Sequence, residues 1–179
     1  DASRKNFAEA ERMNPWFQSD FVSLKKGDAL NLPLPDQSVD VAAQNCLFNI
    51  FKDQDLKKAI EEMYRVLKPH GRLVMSDPTC EQPMSDELRN DERLRALCLS
   101  GSLPIATYVK ALTDVGFGTI EIRARKPYRI LDPAQYQTQE LLYVESIEVA
   151  AIKDPMPEDG PCVFTGKAAI YYGPEDYFD

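Results

Sequence analysis

The sequence predicts an α/β fold whose sheet is parallel at its centre and mostly antiparallel in the C-terminal third. A strand-like run at residues 39–43 is followed by an amphipathic helix and then by a second strand-like run at residues 72–76. A right-handed crossover of this kind makes the two strands parallel. Beyond Gly116 the chain becomes rich in β-branched and aromatic residues with prolines between the runs, which favours antiparallel strands.

The sequence pattern at the start of the chain predicts a helix, then a short strand and then a loop. Residues 1–13 mix apolar and charged side chains at loosely helical spacing, and an Asn-Pro pair ends the pattern. Residues 21–24 are a strand candidate, followed by Gly-Asp-Ala at residues 27–29 and a proline-punctuated segment. Open α/β sheets place ligand-binding loops directly after strands. A tight turn whose Asp bonds its own backbone explains the same three residues without a ligand.

The middle of the chain predicts the crossover helix and two further helices. Asp53 and Asp55 lie where a helix N-terminus favours negative charge, and apolar residues then recur on one face until Pro-His-Gly at residues 69–71. Ser85 can cap a helix that runs to about residue 99. Another helix is expected from about residue 107 to residue 115.

Three further strands are predicted in the C-terminal third, at residues 119–123, 142–152 and 162–172. The basic residues between positions 123 and 129 are expected to be solvated charges on a sheet edge.

Composition and charge exclude several classes of protein. The chain has 179 residues and a formal net charge of −8, and no apolar run approaches the ~20 residues that a membrane-spanning helix needs. The acidic balance argues against a broad nucleic-acid-binding face. Cysteines at positions 46, 80, 98 and 162 form no CxxC pair, so we expect free thiols in a reducing cytoplasm and no structural zinc. The chain lacks an initiating Met and opens in the middle of a helical pattern.

An ordered set of motifs resembles a known enzyme family. The pattern GDAxxLPxxDxSVDV is followed by a strand ending in Asn-Cys, by YRVLKPxGRL and by a strand ending in Ser-Asp. In this order the motifs resemble the second half of class I S-adenosylmethionine-dependent methyltransferases. The segments QNCLFNIF, MSDP, LRALCLSGSLP, GFGTIEIRARKPYRIL and CVFTGKAAIYYG are similar to the arsenite methyltransferases, especially the branch associated with arsenosugar biosynthesis.

This resemblance implies a Rossmann-like class I methyltransferase sheet, truncated at its N-terminus. The strand order of that fold is 3-2-1-4-5-7-6. Residues 1–115 would form a partial cofactor-binding core, and residues 116–179 a C-terminal β region with substrate-site elements. The GxGxG loop of the family, its first two strands and another Cys ligand would lie upstream of Asp1. We therefore expect residues 1 to about 35 to detach, to pair with another chain or to pack differently from the family.

The resemblance also implies a cofactor, S-adenosylmethionine, and positions that bind it. Asp28 and Ala29 match the residues that bind the adenine, with Leu30 beside them. Asn45 and Cys46 match the end of the strand that lines the methionine side of the cofactor. An Asp can accept from an exocyclic amine while a backbone amide donates to a ring nitrogen.

The implied substrate is trivalent arsenic, either arsenite or thiol-bound arsenic. Cys98 matches a thiol that ligates arsenic, a soft element that prefers thiolates. A further ligand of better-known members falls near Ala150 or Ala151, so Cys162 is the candidate for a second arsenic-binding thiol in the catalytic site. The arsenic lone pair would attack the methyl group directly, which leaves no catalytic role for the lone His70.

Other interpretations stay open from the sequence. Cys46 can be a small buried hydrophobe, and Cys80 has no family position. The chain can instead act on a small organic substrate, or be an inactive piece with a binding or dimerising role. No nucleic-acid or membrane partner is expected, and the oligomeric state is undetermined.

Overall fold

The computed structural model describes residues 2–136 and 141–167. The helices are α1 (Ala2–Met13), α2 (Asp53–Val66), α3 (Asp86–Arg89), α4 (Glu92–Ala96), α5 (Ile105–Val115) and α6 (Pro133–Tyr136). The strands are β1 (Val39–Asn45), β2 (Leu67–Cys80), β3 (Thr119–Leu131), β4 (Leu142–Ile152) and β5 (Cys162–Phe164). Short 3-10 turns occur at Ser19–Phe21 and Phe48–Ile50.

The five strands form one sheet in the order β1-β2-β4-β3-β5. β1 and β2 are parallel, and β4 runs antiparallel to both β2 and β3. This confirms the predicted crossover and the α/β class. The order of the first four strands in the sheet also matches the 4-5-7-6 half of the methyltransferase sheet that the resemblance implied.

The crossover helix α2 buries the face that the sequence predicted. Leu56, Ala59, Ile60 and Met63 are buried in one core with side chains of the sheet and of α5. α2 ends at Val66, before the Pro-His-Gly turn, because the chain already bonds into the sheet at its next residue. The register then jumps across residues 68–71, where the turn bulges out of the strand.

The segment from Ser85 to Leu99 is not one helix. Ser85 caps α3 as predicted, accepting from the backbone N of Leu88, but Asp91 caps a second short helix, α4. Its carboxylate accepts from the backbone N of Arg93 and Leu94. A new cap in mid-sequence starts a new helix direction because the cap residue itself is not helical.

The N-terminal segment differs most from the sequence prediction. The strand predicted at residues 21–24 is wrong: this stretch contains the end of a 3-10 turn and extended chain without a sheet partner. No residue of α1 is buried, and Phe7 of α1 stacks on Phe17 with ring centroids 6.2 Å apart. This agrees with the expectation that the segment detaches or packs differently from the family.

The C-terminal region is mainly antiparallel, with one correction. β5 pairs with β3 in parallel, from Thr119↔Cys162 to Glu121↔Phe164, so this last pairing was not predicted. The predicted strand at residues 162–172 begins as expected, but its residues 168–172 lie outside the described residues. The division at residues 115 and 116 stays a prediction. Among the described residues, no helix has the length and apolarity needed to cross a membrane.

Candidate active site

Two cysteines meet where β1 ends beside β2. Cys46 directly follows β1 and Cys98 follows α4. The Cys98 thiol donates to the backbone oxygen of Cys46 at 3.3 Å. Both residues are in the left-handed region, with φ of 55° and 58°, which is strained for a side chain other than glycine. The carboxyl ends of parallel strands are where α/β sheets bind ligands.

The environment of Cys46 keeps its thiol protonated. Burial raises the pKa of Cys46 to about 11, and the neighbouring charges of Cys98 and Asp77 act in the same direction. At neutral pH the Cys46 thiol is therefore neutral, so Cys46 carries no negative charge in this half-buried site.

Asp77 lies in β2 close enough to Cys46 for its charge to act on that thiol. Its side chain is fully buried, and burial raises the pKa of its carboxyl to about 7, although the Gln44 amide and the backbone N–H groups of Asn49 and Phe48 oppose this shift. Gln44 donates to Oδ2 of Asp77, whereas Oδ1 has no hydrogen-bond partner among the described residues. The carboxyl is thus poised between its charged and neutral forms near neutral pH.

Asn49 connects the turn after β1 to the Cys98 turn. Its amide Nδ2 donates to the backbone oxygens of Pro78 at 3.0 Å and Cys98 at 3.2 Å. Its Oδ1 accepts from the Tyr108 hydroxyl. The backbone of Gly101 lies so close that a Cβ there would be 1.9 Å from the Asn49 carbonyl oxygen. We call this group the strand-end cluster: Gln44, Cys46, Asn49, Asp77, Cys98 and Tyr108.

A second group of predicted residues lies in the loop at residues 27–34, the Asp28 loop. Within it, Oδ1 of Asp28 accepts from the backbone N of Leu30 at 2.9 Å. Two charged side chains of α2 hold the loop from outside. Glu62 accepts from the backbone N of Leu32 at 2.8 Å, and Arg65 donates to the backbone oxygens of Leu32 and Leu34 at 3.1 and 2.9 Å.

Among the residues matched to the cofactor, Asp28 offers a hydrogen-bond acceptor. Asp28 is exposed and its Oδ2 makes no hydrogen bond with the described residues, so this oxygen is available to an exocyclic amine. Ala29 and Leu30 are half-buried beside it, and Asn45 is exposed at the end of β1. The binding of adenine by Asp28, Ala29 and Leu30 stays a prediction.

The structure does not bring Cys162 to Cys98. Cys162 is exposed in β5 and pairs with Thr119 at the sheet edge opposite β1. Neighbouring strands lie about 4.8 Å apart, so the four steps from β1 to β5 span roughly 19 Å. The cysteine that contacts Cys98 is Cys46, whose family match had placed it on the cofactor side.

The Cys80 thiol has a hydrogen-bond partner outside this pair. Cys80 is buried, and its thiol donates to the backbone oxygen of Ser102 at 3.3 Å. Ala150 and Ala151 are buried in β4. Across residues 2–136 and 141–167, no group of three or more His, Cys, Asp and Glu side chains is arranged to hold a metal ion.

Sequence reasoning missed most of the strand-end cluster. It identified Cys98 but gave Cys46 no thiol role and did not single out Gln44, Asn49, Asp77 or Tyr108. One available signal was the position of Cys46 directly after a predicted strand, where such sheets gather ligand-binding residues.

Known methyltransferases are similar to this chain in sequence. A family model described as a methyltransferase domain matches residues 1–75. An arsenite methyltransferase of Aquipseudomonas alcaligenes is 32% identical over 165 residues, which cover 85% of this chain and 44% of that protein. An arsenite methyltransferase of Halobacterium salinarum is 28% identical over 120 residues, which cover 67% of this chain and 28% of that protein. The chain therefore spans less than half the length of these relatives.

Solved structures give the same relationship. An arsenic(III) S-adenosylmethionine methyltransferase from Chlamydomonas reinhardtii superimposes with a TM-score of 0.63 at 26% identity, covering 74% of this chain and 44% of that one. The YcgJ protein of Bacillus subtilis, at 19% identity and a TM-score of 0.60, shares the fold. The chain is therefore similar to class I S-adenosylmethionine-dependent methyltransferases, and among them to arsenite methyltransferases.

Proposed function

We propose that this chain contributes the arsenic-binding side of an enzyme that transfers a methyl group from S-adenosylmethionine to trivalent arsenic, and that Cys46 and Cys98 hold the arsenic. The observation that carries the proposal is the contact between these two cysteines at the end of β1, where the Cys98 thiol donates to the backbone oxygen of Cys46 at 3.3 Å. The arsenic methyltransferase activity of the relatives from Aquipseudomonas alcaligenes and Chlamydomonas reinhardtii supports it. The chain spans 44% of the length of each of these relatives, and we propose the same activity for the whole enzyme.

A neutral Cys46 thiol suits the uptake of arsenite. Arsenous acid is neutral at pH 7, and its condensation with two thiols breaks two S–H and two As–O bonds while forming two As–S bonds and two molecules of water. The arsenic stays trivalent, so the step needs no oxidant or reductant. Each thiol proton leaves on an arsenic hydroxyl, and the raised pKa of Cys46 therefore does not oppose binding.

The cofactor would be held at its adenine end by Asp28, Ala29 and Leu30, and near its methionine end by Asn45 and the backbone of Cys46. When bound, S-adenosylmethionine supplies an electrophilic methyl group that the lone pair of thiol-bound arsenic can take without a general base. The protein contributes position: the thiols fix the arsenic at the strand ends, and the Asp28 loop orients the adenine. A small organic nucleophile would not require paired thiols, so the Cys46–Cys98 contact favours arsenic over that alternative.

The test is arsenite binding by single cysteine variants. Binding is measured by the loss of titratable thiol and by calorimetry. Both Cys46→Ser and Cys98→Ser leave only one of the paired thiols, so each is expected to lower arsenite affinity by about 100-fold, the loss typical when two-point attachment becomes one-point. The serine keeps the size of the side chain and cannot form a soft-ligand bond.

Cys162→Ser is the matched control because Cys162 is exposed at the opposite edge of the sheet. Its arsenite affinity is expected to equal that of the unmodified chain. Unchanged affinity in Cys98→Ser, or a loss in Cys162→Ser equal to that in Cys46→Ser, would contradict the proposed ligand pair.

A further inference from the structure

Asn49 is placed to control the geometry of the thiol pair. It belongs to the same tight turn as Cys46, since only two residues separate them between the end of β1 and the 3-10 turn. Its amide donates to the backbone oxygen of Cys98 at 3.2 Å, while the Cys98 thiol donates back to the backbone oxygen of Cys46 at 3.3 Å. The two turns are therefore joined by hydrogen bonds in both directions.

The Asn49 contact acts on a strained residue. Cys98 has a φ of 58°, a conformation that is unfavourable by roughly 1–2 kcal/mol for a residue with a Cβ. A single buried hydrogen bond contributes about 1 kcal/mol, which is comparable with this strain. The bond from Asn49 can thus keep Cys98 in the conformation that directs its thiol towards Cys46.

Tyr108 fixes the orientation of the Asn49 side chain. Its hydroxyl donates to Oδ1 of Asn49, which leaves the amide nitrogen to face Pro78 and Cys98. Tyr108 and Asn49 are both almost fully buried, and burial raises the pKa of the Tyr108 hydroxyl well above its usual range, so it remains a donor. A flipped amide would present an oxygen to two carbonyl oxygens, and this arrangement is repulsive.

We propose that Asn49, oriented by Tyr108, is a positioning residue that sets the spacing of the Cys46 and Cys98 thiols for a bridging trivalent arsenic. This inference rests on the proposed function and adds a specificity element to it: a reagent that must bridge both thiols depends on Asn49, and a reagent that attacks one thiol does not. Asn49 and Tyr108 touch neither arsenic nor the cofactor in this role.

The experiment compares bridging with single-thiol chemistry in the full 179-residue chain carrying Tyr108→Phe. Phenylarsine oxide, a trivalent arsenical that bridges two thiols, reports spacing, and iodoacetamide reports the reactivity of each thiol alone. Loss of the hydroxyl removes the bond that orients Asn49, so phenylarsine oxide affinity is expected to fall about tenfold, the equivalent of one hydrogen bond. The alkylation rates of Cys46 and Cys98 are not expected to fall.

The matched control is Tyr64→Phe, because the Tyr64 hydroxyl makes no hydrogen bond with the described residues and lies against Gly116, in the turn between α5 and β3. Asn49→Ser, which replaces the amide with a shorter hydroxyl, is expected to reduce bridging at least as much as Tyr108→Phe. Unchanged phenylarsine oxide affinity in Tyr108→Phe overturns the inference, as does a decrease in alkylation that matches the decrease in bridging. If the unmodified chain binds phenylarsine oxide no more tightly than Cys46→Ser does, the proposed function fails instead.

Discussion

The strand-end cluster and the Asp28 loop are built in opposite ways, although both are proposed to serve one reaction. The cluster is held by hydrogen bonds of the buried Asn49 and by the close approach of Gly101. The loop is held from one side by Glu62 and Arg65 on the partly exposed surface of α2. The strand-end cluster is therefore rigid and coupled to the core. The Asp28 loop, in contrast, can move while the core stays folded.

Gly101→Ala is expected to have the largest effect because it breaks the cluster at its tightest contact. The added Cβ would lie 1.9 Å from the Asn49 oxygen and 2.6 Å from its carbonyl carbon, so backbone must shift. Overpacking of this kind is expected to lower the free energy of unfolding by about 3 kcal/mol or more. Urea denaturation measures this loss.

Gly160→Ala serves as the control for the added methyl group. A Cβ at Gly160 meets nothing within 4 Å, although its φ of 105° strains any side chain, so a smaller loss of about 1–2 kcal/mol is expected. Equal losses in the two variants would show that the cluster is not rigid at Gly101.

The pH dependence of stability sharpens the comparison, because Asp77 belongs to the cluster. Burial raises its pKa from 3.8 to about 7, so the folded chain binds a proton that the unfolded chain releases between these values. Stability should therefore fall as the pH rises from about 4 to about 7, by up to about 1.4 kcal/mol per pH unit. Asp77→Asn keeps an oxygen for Gln44 and should remove this contribution to the slope.

The measurement is urea denaturation at pH 5 and pH 8 of the unmodified chain and of each variant. Asp159→Asn makes the same change at an exposed carboxylate and should retain the slope of the unmodified chain. A slope that persists unchanged in Asp77→Asn would mean that other groups cause it.

Arg65→Met should have the smallest effect on global stability and a clear local one. Methionine keeps the apolar stem but loses the bonds to Leu32, Leu34 and Asp36. The free energy of unfolding is expected to change by less than about 1 kcal/mol. Hydrogen exchange at the Leu32 amide should accelerate by about fivefold, the equivalent of one hydrogen bond.

Lys68→Met is the control, since it removes the ion pair between Lys68 and Asp40 without touching the loop. Its Leu32 amide should exchange at the unmodified rate. If Arg65→Met also exchanged at that rate, the Leu32 amide would not depend on the Arg65 contacts, and Glu62 alone would hold it.

The sequence allowed the β1-α2-β2 crossover to be predicted because its signals are local. An apolar stripe on α2 from Leu56 to Met63 has the helical period, and both flanking strands are apolar runs. The strand predicted at residues 21–24 failed for the opposite reason. A strand is stable only when a neighbour completes its hydrogen bonds, and that segment has no partner in the described sheet.

The strand-end cluster could be predicted only in part, because it depends on how two turns meet. The family match identified Cys98, and Cys46 was matched to the same region of the fold. Their contact depends on left-handed φ angles at both residues and on the side chain of Asn49, none of which has a periodic signal in the sequence. The structure places Cys162 away from Cys98 because β5 adds to the far edge of the sheet, which sequence spacing does not reveal.

The left-handed backbone at Cys46 and Cys98 lowers stability at the two positions where the proposed function needs a thiol. Glycine adopts such φ angles without strain, so the residues that the backbone would favour there are those that carry no thiol. Selection for thermal stability alone would therefore drift towards losing the pair. An engineer who wishes to stabilise this chain should exclude both positions from the search and seek compensation elsewhere, for example in the uncapped first turn of α2.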